Sequence, residues 1–283
     1  MECQKTVATK ASLSGISLHT GMRAHITLRP APMDTGIVFV RKDLDGTPSV
    51  RAIVENVVDV KRGTTIACGV AKVHTVEHIL AALNAAGVDN AFVDMDGPEP
   101  PIADGSAMPY VELVLKAGIK DQDGSACTIA PSESIIVEEG ETKIILFPCD
   151  ELRITCIISY GASPLDAQYY SGKIDFDVFR NEIAPARTFC LYNELEALIA
   201  CGLVKGGSLD NAIVLHDGAI ICKEEMNFAN ELVRHKVLDI VGDLYLAGAR
   251  IKAHVVAIKP GHPANISMVR KIVSLNDASR IAV

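Results

Sequence analysis

The feature that most constrains the fold is an internal similarity between the two halves of the chain. Residues 89–97 read DNAFVDMDG and residues 210–218 read DNAIVLHDG, and the two segments agree at six of nine positions. Upstream, AHITLRP at 24–30 and TKIILFP at 142–148 each predict a strand before a turn marked by proline, and another β-rich run follows each. Ordered similarities along both halves predict a duplicated domain.

The order of the predicted elements indicates the fold class. Each half begins with strands joined by short turns and continues with a helix, a strand and a second helix, which is typical of an α+β fold. The polar stretch KDQDGSAC at 120–127 marks the boundary, so we expect similar domains over residues 1–122 and 123–283. Two such domains facing each other would leave a cleft at their interface, where a site is expected.

Composition excludes several classes of protein. The 283 residues are 49% hydrophobic, which is enough for a substantial core, and the net charge of −8 argues against a nucleic-acid partner. The chain contains no nucleotide-binding glycine motif and no apolar run of the ~18–20 residues that span a bilayer. Eight scattered cysteines without a CxxC pair exclude ribbon-type zinc sites. We therefore expect a cytoplasmic protein with no transmembrane segment.

A helix over residues 75–87 is predicted to carry two polar residues of interest. An apolar stripe at helical spacing predicts the buried face, and Thr75 is a candidate N-cap. Glu77 and His78 fall in the first turn, and on their own they are more typical of a solvated helix face than of a site.

A second helix, predicted from about Glu225 to Gly248, carries a polar stripe every four residues: Glu231, His235, Asp239 and Asp243. A histidine and an aspartate at i and i+4 lie close enough to bind one metal ion. One histidine from the first domain would complete two histidines and one aspartate, leaving a position open for water as catalytic zinc requires. KPGHPAN at 259–265 places His262 on a loop that follows a predicted strand.

Five segments together resemble one known family: TVEH, ARTF at 186–189, KGGSLDNAIV at 205–214, VRHKVLDIVGDL at 233–244, and GHPAN. The resemblance is to UDP-3-O-acyl-N-acetylglucosamine deacetylases, and it runs in order over nearly the whole chain. It implies a hydrolase that performs the committed step of lipid A biosynthesis in Gram-negative bacteria. It also implies two similar α+β domains whose helices lie between two sheets, with the active site at the interface.

The resemblance further implies residue roles and ligands. The expected Zn²⁺ ligands are His78, His235 and Asp239, and the expected catalytic residues are Glu77 as general base, His262 as general acid, Asp243 as partner of His262, and Thr188 as oxyanion donor. The substrate would be an acylated UDP-sugar, with the contact residues Phe189, Lys236, Leu191, Gly207, Ser208 and Ala212. The last four lie in the segment from Leu191 to Val214, which corresponds to the family's acyl-chain passage. We expect a monomer.

One position departs from the family pattern. Many members have a cysteine near the zinc where this chain has Gly63, so no thiol ligand is assigned there.

Two alternatives to this interpretation remain open. The run HTVEH satisfies the zinc-peptidase pattern H-x-x-E-H, with His74 and His78 as ligands and Glu77 as base. That mechanism leaves the His235 and Asp239 pair without a role. A non-enzymatic zinc-binding module is the second alternative, but closed zinc sites use four protein ligands, usually including cysteine, and the cysteine spacing is unsuitable.

Overall fold

The computed structural model describes residues 2–159 and 167–281. The strands of the first half are β1 (Cys3–Val7), β2 (Ala11–Ile16), β3 (Arg23–Pro30), β4 (Ile37–Arg41), β5 (Ser49–Arg51), β6 (Val57–Asp59), β7 (Thr65–Cys68), β8 (Ala71–Val73), β9 (Ala91–Met95) and β10 (Ile119–Ser125). Its helices are α1 (Glu77–Ala85) and α2 (Met108–Ala117).

The strands of the second half are β11 (Thr128–Ile129), β12 (Ile135–Glu139), β13 (Thr142–Pro148), β14 (Arg153–Ile158), β15 (Gln168–Lys173), β16 (Phe189–Leu191), β17 (Ile213–His216), β18 (Ala219–Ile221), β19 (Arg250–Ile251) and β20 (Ala253–Ile258). Its helices are α3 (Phe176–Val178), α4 (Tyr192–Ala200), α5 (Glu231–Leu244) and α6 (His262–Ile281).

The two halves contain main sheets of the same topology. The first has the strand order β2-β3-β9-β4-β5 and the second has the order β12-β13-β20-β14-β15. In each sheet the middle strand, β9 or β20, is antiparallel to one neighbour and parallel to the other. Identical order and direction in both sheets confirm the predicted α+β class and are consistent with a duplicated domain.

One of the similarities used to predict the duplication is a wrong match. Residues 210–218 contribute β17, which lies in a separate three-stranded sheet of order β16-β17-β18. The structural counterpart of β9 is β20, whereas β3 and β13, and β4 and β14, correspond as predicted. A short apolar strand before an Asp-Gly turn has a similar local sequence in any sheet, so local similarity did not identify its long-range pairing partner.

The helices lie between the two main sheets. Helix α2 packs on β2 and β3, while α5 packs on β14 and β15 and α6 packs on β12 and β13. Helices α1 and α5 pack against each other and thereby join the two halves. The apolar stripe predicted for α1 is buried in this layer, at Ile79, Leu80 and Leu83. The prediction of helices between two sheets is therefore confirmed.

The predicted N-cap at Thr75 is wrong. Helix α1 begins at Glu77, and its N-cap Val76 makes no side-chain capping bond. Thr75 has a φ of +53°, and its hydroxyl donates to Glu99 Oε1 at 2.9 Å instead of capping the helix. A tertiary hydrogen bond has displaced the local capping preference of threonine.

The boundary expected between residues 122 and 123 falls inside β10. This strand pairs antiparallel with β1, from Val7 opposite Ile119 to Cys3 opposite Ser125. The next strand, β11, pairs instead with β19 of the second half. We propose that the first half extends through Ser125.

Helices α1 and α5 approach each other closely at Gly242. A methyl group added there would lie 2.1 Å from the carbonyl oxygen of Glu77. That distance is far below van der Waals contact, so no larger residue fits without moving one helix.

We expect Gly242→Ala to destabilise the protein by about 1–3 kcal/mol, the usual cost of overpacking a core. Chemical denaturation of the variant measures this change in the free energy of unfolding. Gly97→Ala is the matched control, because a methyl group at Gly97 meets no atom within 4 Å. Equal stability of the two variants would contradict the assignment of a tight helix contact.

Candidate active site

Three potential metal ligands meet where α1 and α5 touch. His78 lies in the first turn of α1, and His235 and Asp239 lie one turn apart on α5. None is more than 3% exposed. One ligand atom from each residue lies within 4.8 Å of those of the other two. The structure thus brings together the three residues expected to bind a metal, two from the second half and one from the first.

The hydrogen bonds of the two histidines leave the same nitrogen available in each ring. His78 Nδ1 lies 3.3 Å from the carbonyl oxygen of Ser106, and His235 Nδ1 lies 2.9 Å from that of Ala186. A carbonyl oxygen only accepts, so both Nδ1 atoms carry the proton and both Nε2 atoms have a lone pair. Burial lowers the pKa of both imidazoles, that of His235 to about 4, so both rings are neutral at pH 7.

Asp239 supplies a carboxylate to the same group. Burial acts to raise the pKa of this carboxyl, but Lys236 and the neighbouring imidazoles outweigh that effect and hold the pKa below its usual range. Lys236 Nζ donates to Asp239 Oδ2 at 2.9 Å. Two neutral imidazole nitrogens and one carboxylate are a donor set that binds divalent metal ions, so the residues present fit such an ion.

Glu77 lies beside this group and is 2% exposed. Its Oε2 accepts a hydrogen bond from the backbone N–H of Thr64 at 2.9 Å, and its Oε1 lies 3.7 Å from His262 Nε2. Burial raises the pKa of the Glu77 carboxyl to about 7, although the His262 charge opposes the rise. A carboxyl with this pKa can both take and release a proton near neutral pH.

His262 lies near both Glu77 and Asp239 and is held by Asp243. His262 Nδ1 donates to Asp243 Oδ2 at 2.8 Å, and that carboxylate also accepts bonds from Thr64 Oγ1 at 2.6 Å and Asn265 Nδ2 at 2.8 Å. Burial acts to lower the pKa of His262, but the carboxylates of Asp243, Asp239 and Glu77 raise it to about 10. The ring is therefore cationic at pH 7.

The position of His262 in the fold differs from the predicted loop. It is the first residue of α6, and Pro263 follows it in the first turn, where a proline costs the helix no hydrogen bond. The two prolines that flank this histidine made the segment resemble a loop in the sequence.

Thr188, Phe189 and Lys236 lie on one side of the cleft. The backbone N–H of Thr188 donates to the carbonyl oxygen of Gly105 at 2.9 Å, which ties β16 to the first half. Lys236 Nζ lies 5.3 Å from the centroid of the Phe189 ring, within the range of a cation–π contact. The Phe189 ring also packs edge-on against His235, with 6.3 Å between ring centroids.

Eight of the side chains described above line one open cleft of about 860 Å³ between the two halves: Glu77, His78, Thr188, Phe189, His235, Lys236, Asp239 and His262. A second cavity of about 290 Å³ shares Thr188 and Phe189 with this cleft. Its walls are largely apolar and come mostly from α4 and the loop before β17: Leu195, Leu198, Ile199, Val204, Leu209 and Val214. The shared residues place an apolar cavity next to the cleft.

Most of the substrate-binding residues expected in the segment 191–214 lie at the second cavity. Gly207, Ser208 and Ala212 line it, whereas Leu191 belongs to neither set of lining residues. Leu191 is half-buried in β16 and packs against the core. The position of Leu191 therefore does not support its expected contact with the substrate.

His74 does not belong to the candidate metal group among the described residues. Because Thr75 has a left-handed backbone conformation and α1 begins at Glu77, His74 precedes the helix and does not share a helical face with His78. Its Nδ1 instead pairs with Thr65 Oγ1 at 3.1 Å. The geometry required by the H-x-x-E-H peptidase pattern is absent from these residues.

Sequence reasoning missed Thr64 as a member of the site. Its backbone N–H donates to Glu77 and its hydroxyl donates to Asp243, so it links Glu77 to the carboxylate that pairs with His262. It stands next to Gly63, where a Cβ would lie 3.0 Å from Glu77 Oε1. The family's cysteine position at Gly63 was the available signal that this loop reaches the site.

The family model for LpxC, UDP-3-O-acyl N-acetylglycosamine deacetylase, matches residues 4–274 of this chain. A UDP-3-O-acyl-N-acetylglucosamine deacetylase from a Geobacter species is 42% identical over 274 residues, which cover 97% of this chain and 90% of the relative. The deacetylase of the same name from Chlamydia abortus is 41% identical over 273 residues, covering 96% of this chain and 97% of the relative.

A longer relative is the bifunctional enzyme LpxC/FabZ from Chlorobaculum tepidum. It is 39% identical over 308 aligned positions, which cover 99% of this chain but 66% of the relative. The similarity therefore extends over nearly the whole of this chain in all three comparisons. This chain belongs to the UDP-3-O-acyl N-acetylglycosamine deacetylase family.

Proposed function

We propose that this chain hydrolyses the N-acetyl group of UDP-3-O-acyl-N-acetylglucosamine to acetate and the free amine, the committed step of lipid A biosynthesis. The observation that carries the proposal is the single cleft in which Glu77 and His262 adjoin the His78, His235 and Asp239 group. The names of the relatives support the substrate. The H-x-x-E-H peptidase is not favoured, because His74 lies outside the group.

We infer that His78, His235 and Asp239 hold a zinc ion. When bound, zinc supplies Lewis-acid chemistry, because it makes water a better nucleophile at neutral pH and polarises the acetyl carbonyl. The carbonyl partners of the two histidines fix both rings with Nε2 available, so little reorganisation is needed on binding.

Glu77 and His262 divide the proton transfers between them. Glu77 takes a proton from the attacking water while the oxygen of that water forms a bond to the acetyl carbon. The C–N bond then breaks, and His262 gives its Nε2 proton to the leaving amine nitrogen, so that acetic acid and a neutral amine result. The acid then releases its proton to water and leaves as acetate. Asp243, by accepting a hydrogen bond from the Nδ1–H of His262, keeps Nε2 aimed into the cleft and the ring cationic.

The remaining residues bind and orient the substrate. The Thr188 hydroxyl would donate to the oxygen that becomes negative during attack, and the Lys236 ammonium at the cleft suits a diphosphate. The apolar cavity beside the cleft is concave and suits a hydrocarbon chain, so we assign the 3-O-acyl group to it. Gly207, Ser208 and Ala212 would contact that chain.

Three expectations about the whole protein remain proposals. In the part of the chain that the structure describes, no helix combines the length and the apolar character needed to cross a membrane. A cytoplasmic location, the absence of a nucleic-acid partner and a monomeric state stay predictions, of which the last is checked by light scattering.

The deciding experiment measures acetate release from UDP-3-O-acyl-N-acetylglucosamine by the purified, zinc-loaded chain. An unstructured peptide serves as the comparison substrate, since a zinc peptidase would cleave it. Acetate release without peptide cleavage supports the proposal. Peptide cleavage without acetate release would overturn it.

We expect Asp243→Asn to move the high-pH limb of the rate profile to lower pH. Asp243 raises the pKa of His262, and the acid form is lost as the pH rises through that pKa. Removing the negative charge lowers the pKa, so the acid form is lost at lower pH. Steady-state rates across pH measure the shift, with the exposed-carboxylate variant Asp210→Asn as control. A profile that overlays that of the unmodified protein would show that Asp243 does not tune the acid.

A further inference from the structure

Glu99 is a buried carboxylate that the mechanism does not use. It follows β9 and is 1% exposed. Its Oε1 accepts hydrogen bonds from the backbone N–H of His19 at 3.0 Å and from Thr75 Oγ1 at 2.9 Å, and its Oε2 accepts from the backbone N–H of Thr20 at 2.8 Å. A buried charge is costly unless it is paired in this way, so these bonds are strong ones.

One of the hydrogen-bond partners of Glu99, Thr75, belongs to the turn that precedes α1. Thr75 has a φ of +53°, which is an outlier for a β-branched residue and has to be held by its surroundings. Glu77 and His78 follow it by two and three residues. The bond to Glu99 therefore holds the backbone conformation from which the proposed base and the first proposed metal ligand extend.

The other hydrogen-bond partners of Glu99 belong to a loop at the apolar cavity. Leu18 and His19 line this cavity, and their carbonyl oxygens accept hydrogen bonds from the N–H groups of Gly206 at 3.0 Å and Lys205 at 3.3 Å. A Cβ at Gly206 would lie 2.2 Å from the carbonyl oxygen of Ser17, so the two backbones are in direct contact. The loop at residues 17–20 is thus fixed to the segment 204–209, which forms part of the cavity wall.

We propose that Glu99 is a positioning residue. It couples the apolar cavity, through the loop at residues 17–20, to the turn at Thr75 that precedes α1. Through the His19 and Thr20 amides it fixes the cavity loop, and through Thr75 it fixes the start of α1. An acyl chain that orders the cavity wall therefore also favours the productive placement of Glu77. This inference rests on the proposed function, because it concerns how the acyl group assists the reaction.

The test compares Thr75→Val, which keeps the shape but removes the hydroxyl, with Thr75→Ser, which keeps the hydroxyl. Each is assayed with the 3-O-acylated substrate and with UDP-N-acetylglucosamine, which lacks the acyl chain. A hydrogen bond to a charged group corresponds to a factor of about 10 in rate when it is lost. We expect Thr75→Val to lower kcat about 10-fold on the acylated substrate, with unchanged KM and metal content and a smaller loss on the unacylated one.

Thr75→Ser should recover most of that loss in kcat. Thr9→Val is the control, since its hydroxyl bonds to the carbonyl oxygen of Ala117 away from the cleft. Equal losses on the two substrates, or no loss of kcat in Thr75→Val, would overturn the proposal.

A second measurement does not depend on activity. We expect Glu99→Gln to speed the hydrogen exchange of the His19 and Thr20 amides about 10-fold, while the amides of α5 keep their protection. Unchanged exchange at these two amides would overturn the link. A wild-type chain that releases no acetate would instead refute the proposed function, and the exchange result would still decide whether Glu99 holds the loop.

Discussion

His235→Ala is expected to lose the bound metal and the deacetylase activity together. The change leaves one imidazole and one carboxylate from the group of three, and it removes the ring that packs against Phe189. A catalytic metal contributes several kcal/mol to stabilising the transition state, which corresponds to a rate loss of about 10³-fold or more. Metal analysis of the purified variant and a rate assay measure the two effects.

The matched control for this variant is His74→Ala. It removes an imidazole close to His78 in sequence but outside the metal group, so metal content should stay at the wild-type level. This control also separates the deacetylase from the peptidase alternative, in which His74 would be a ligand. Full metal retention by His235→Ala, or loss of metal in His74→Ala, would disprove the assignment of the group.

Glu77→Gln is expected to lower the rate by roughly 10²–10⁴-fold, the range for one general acid–base group, while metal content and KM stay close to wild type. The glutamine has nearly the same shape and retains an oxygen that can accept the bond from the Thr64 amide. It has no basic oxygen that can take a proton from water. Steady-state kinetics together with metal analysis test all three parts of the prediction.

Glu112→Gln serves as the control, because this glutamate is exposed on α2 and lies apart from the cleft. A near-normal rate in Glu77→Gln would mean that another group removes the proton. Loss of metal from the same variant would mean that Glu77 supports the metal group rather than the chemistry alone.

The sequence predicted which side chains lie together in the candidate site better than it predicted the strand pairing of the repeat. His235 and Asp239 were found from helical spacing, because an i, i+4 pair is a local property of one helix. Their partner His78 comes from the other half, where spacing cannot place it, and it was joined to them by the donor set that catalytic zinc requires and by the family resemblance. The repeat required long-range strand pairing, and the similarity of 210–218 to 89–97 gave the wrong partner, since β20 takes the place of β9.

The polar stripe on α5 also divides in a way that the sequence did not reveal. Glu231, which is fully buried, forms an ion pair with Arg187, with 2.9 Å between Arg187 Nε and Glu231 Oε1. This pair anchors the segment that contains Thr188. Asp239 instead belongs to the candidate metal group, and Asp243 pairs with His262. Their spacing of four residues showed that these residues lie on the same side of one helix. Their partners belong to distant segments, which the spacing does not identify.

The contact of α1 with α5 has a thermodynamic consequence. The donor set is complete only when the two halves are docked, so any metal affinity of the intact site includes the free energy of docking. By linkage, an ion that binds only the docked form stabilises it by about 2.7 kcal/mol at a free concentration 100 times its dissociation constant. An ion bound by residues of both halves would thus stabilise their docked arrangement, and metal depletion would remove that contribution to the stability of the chain.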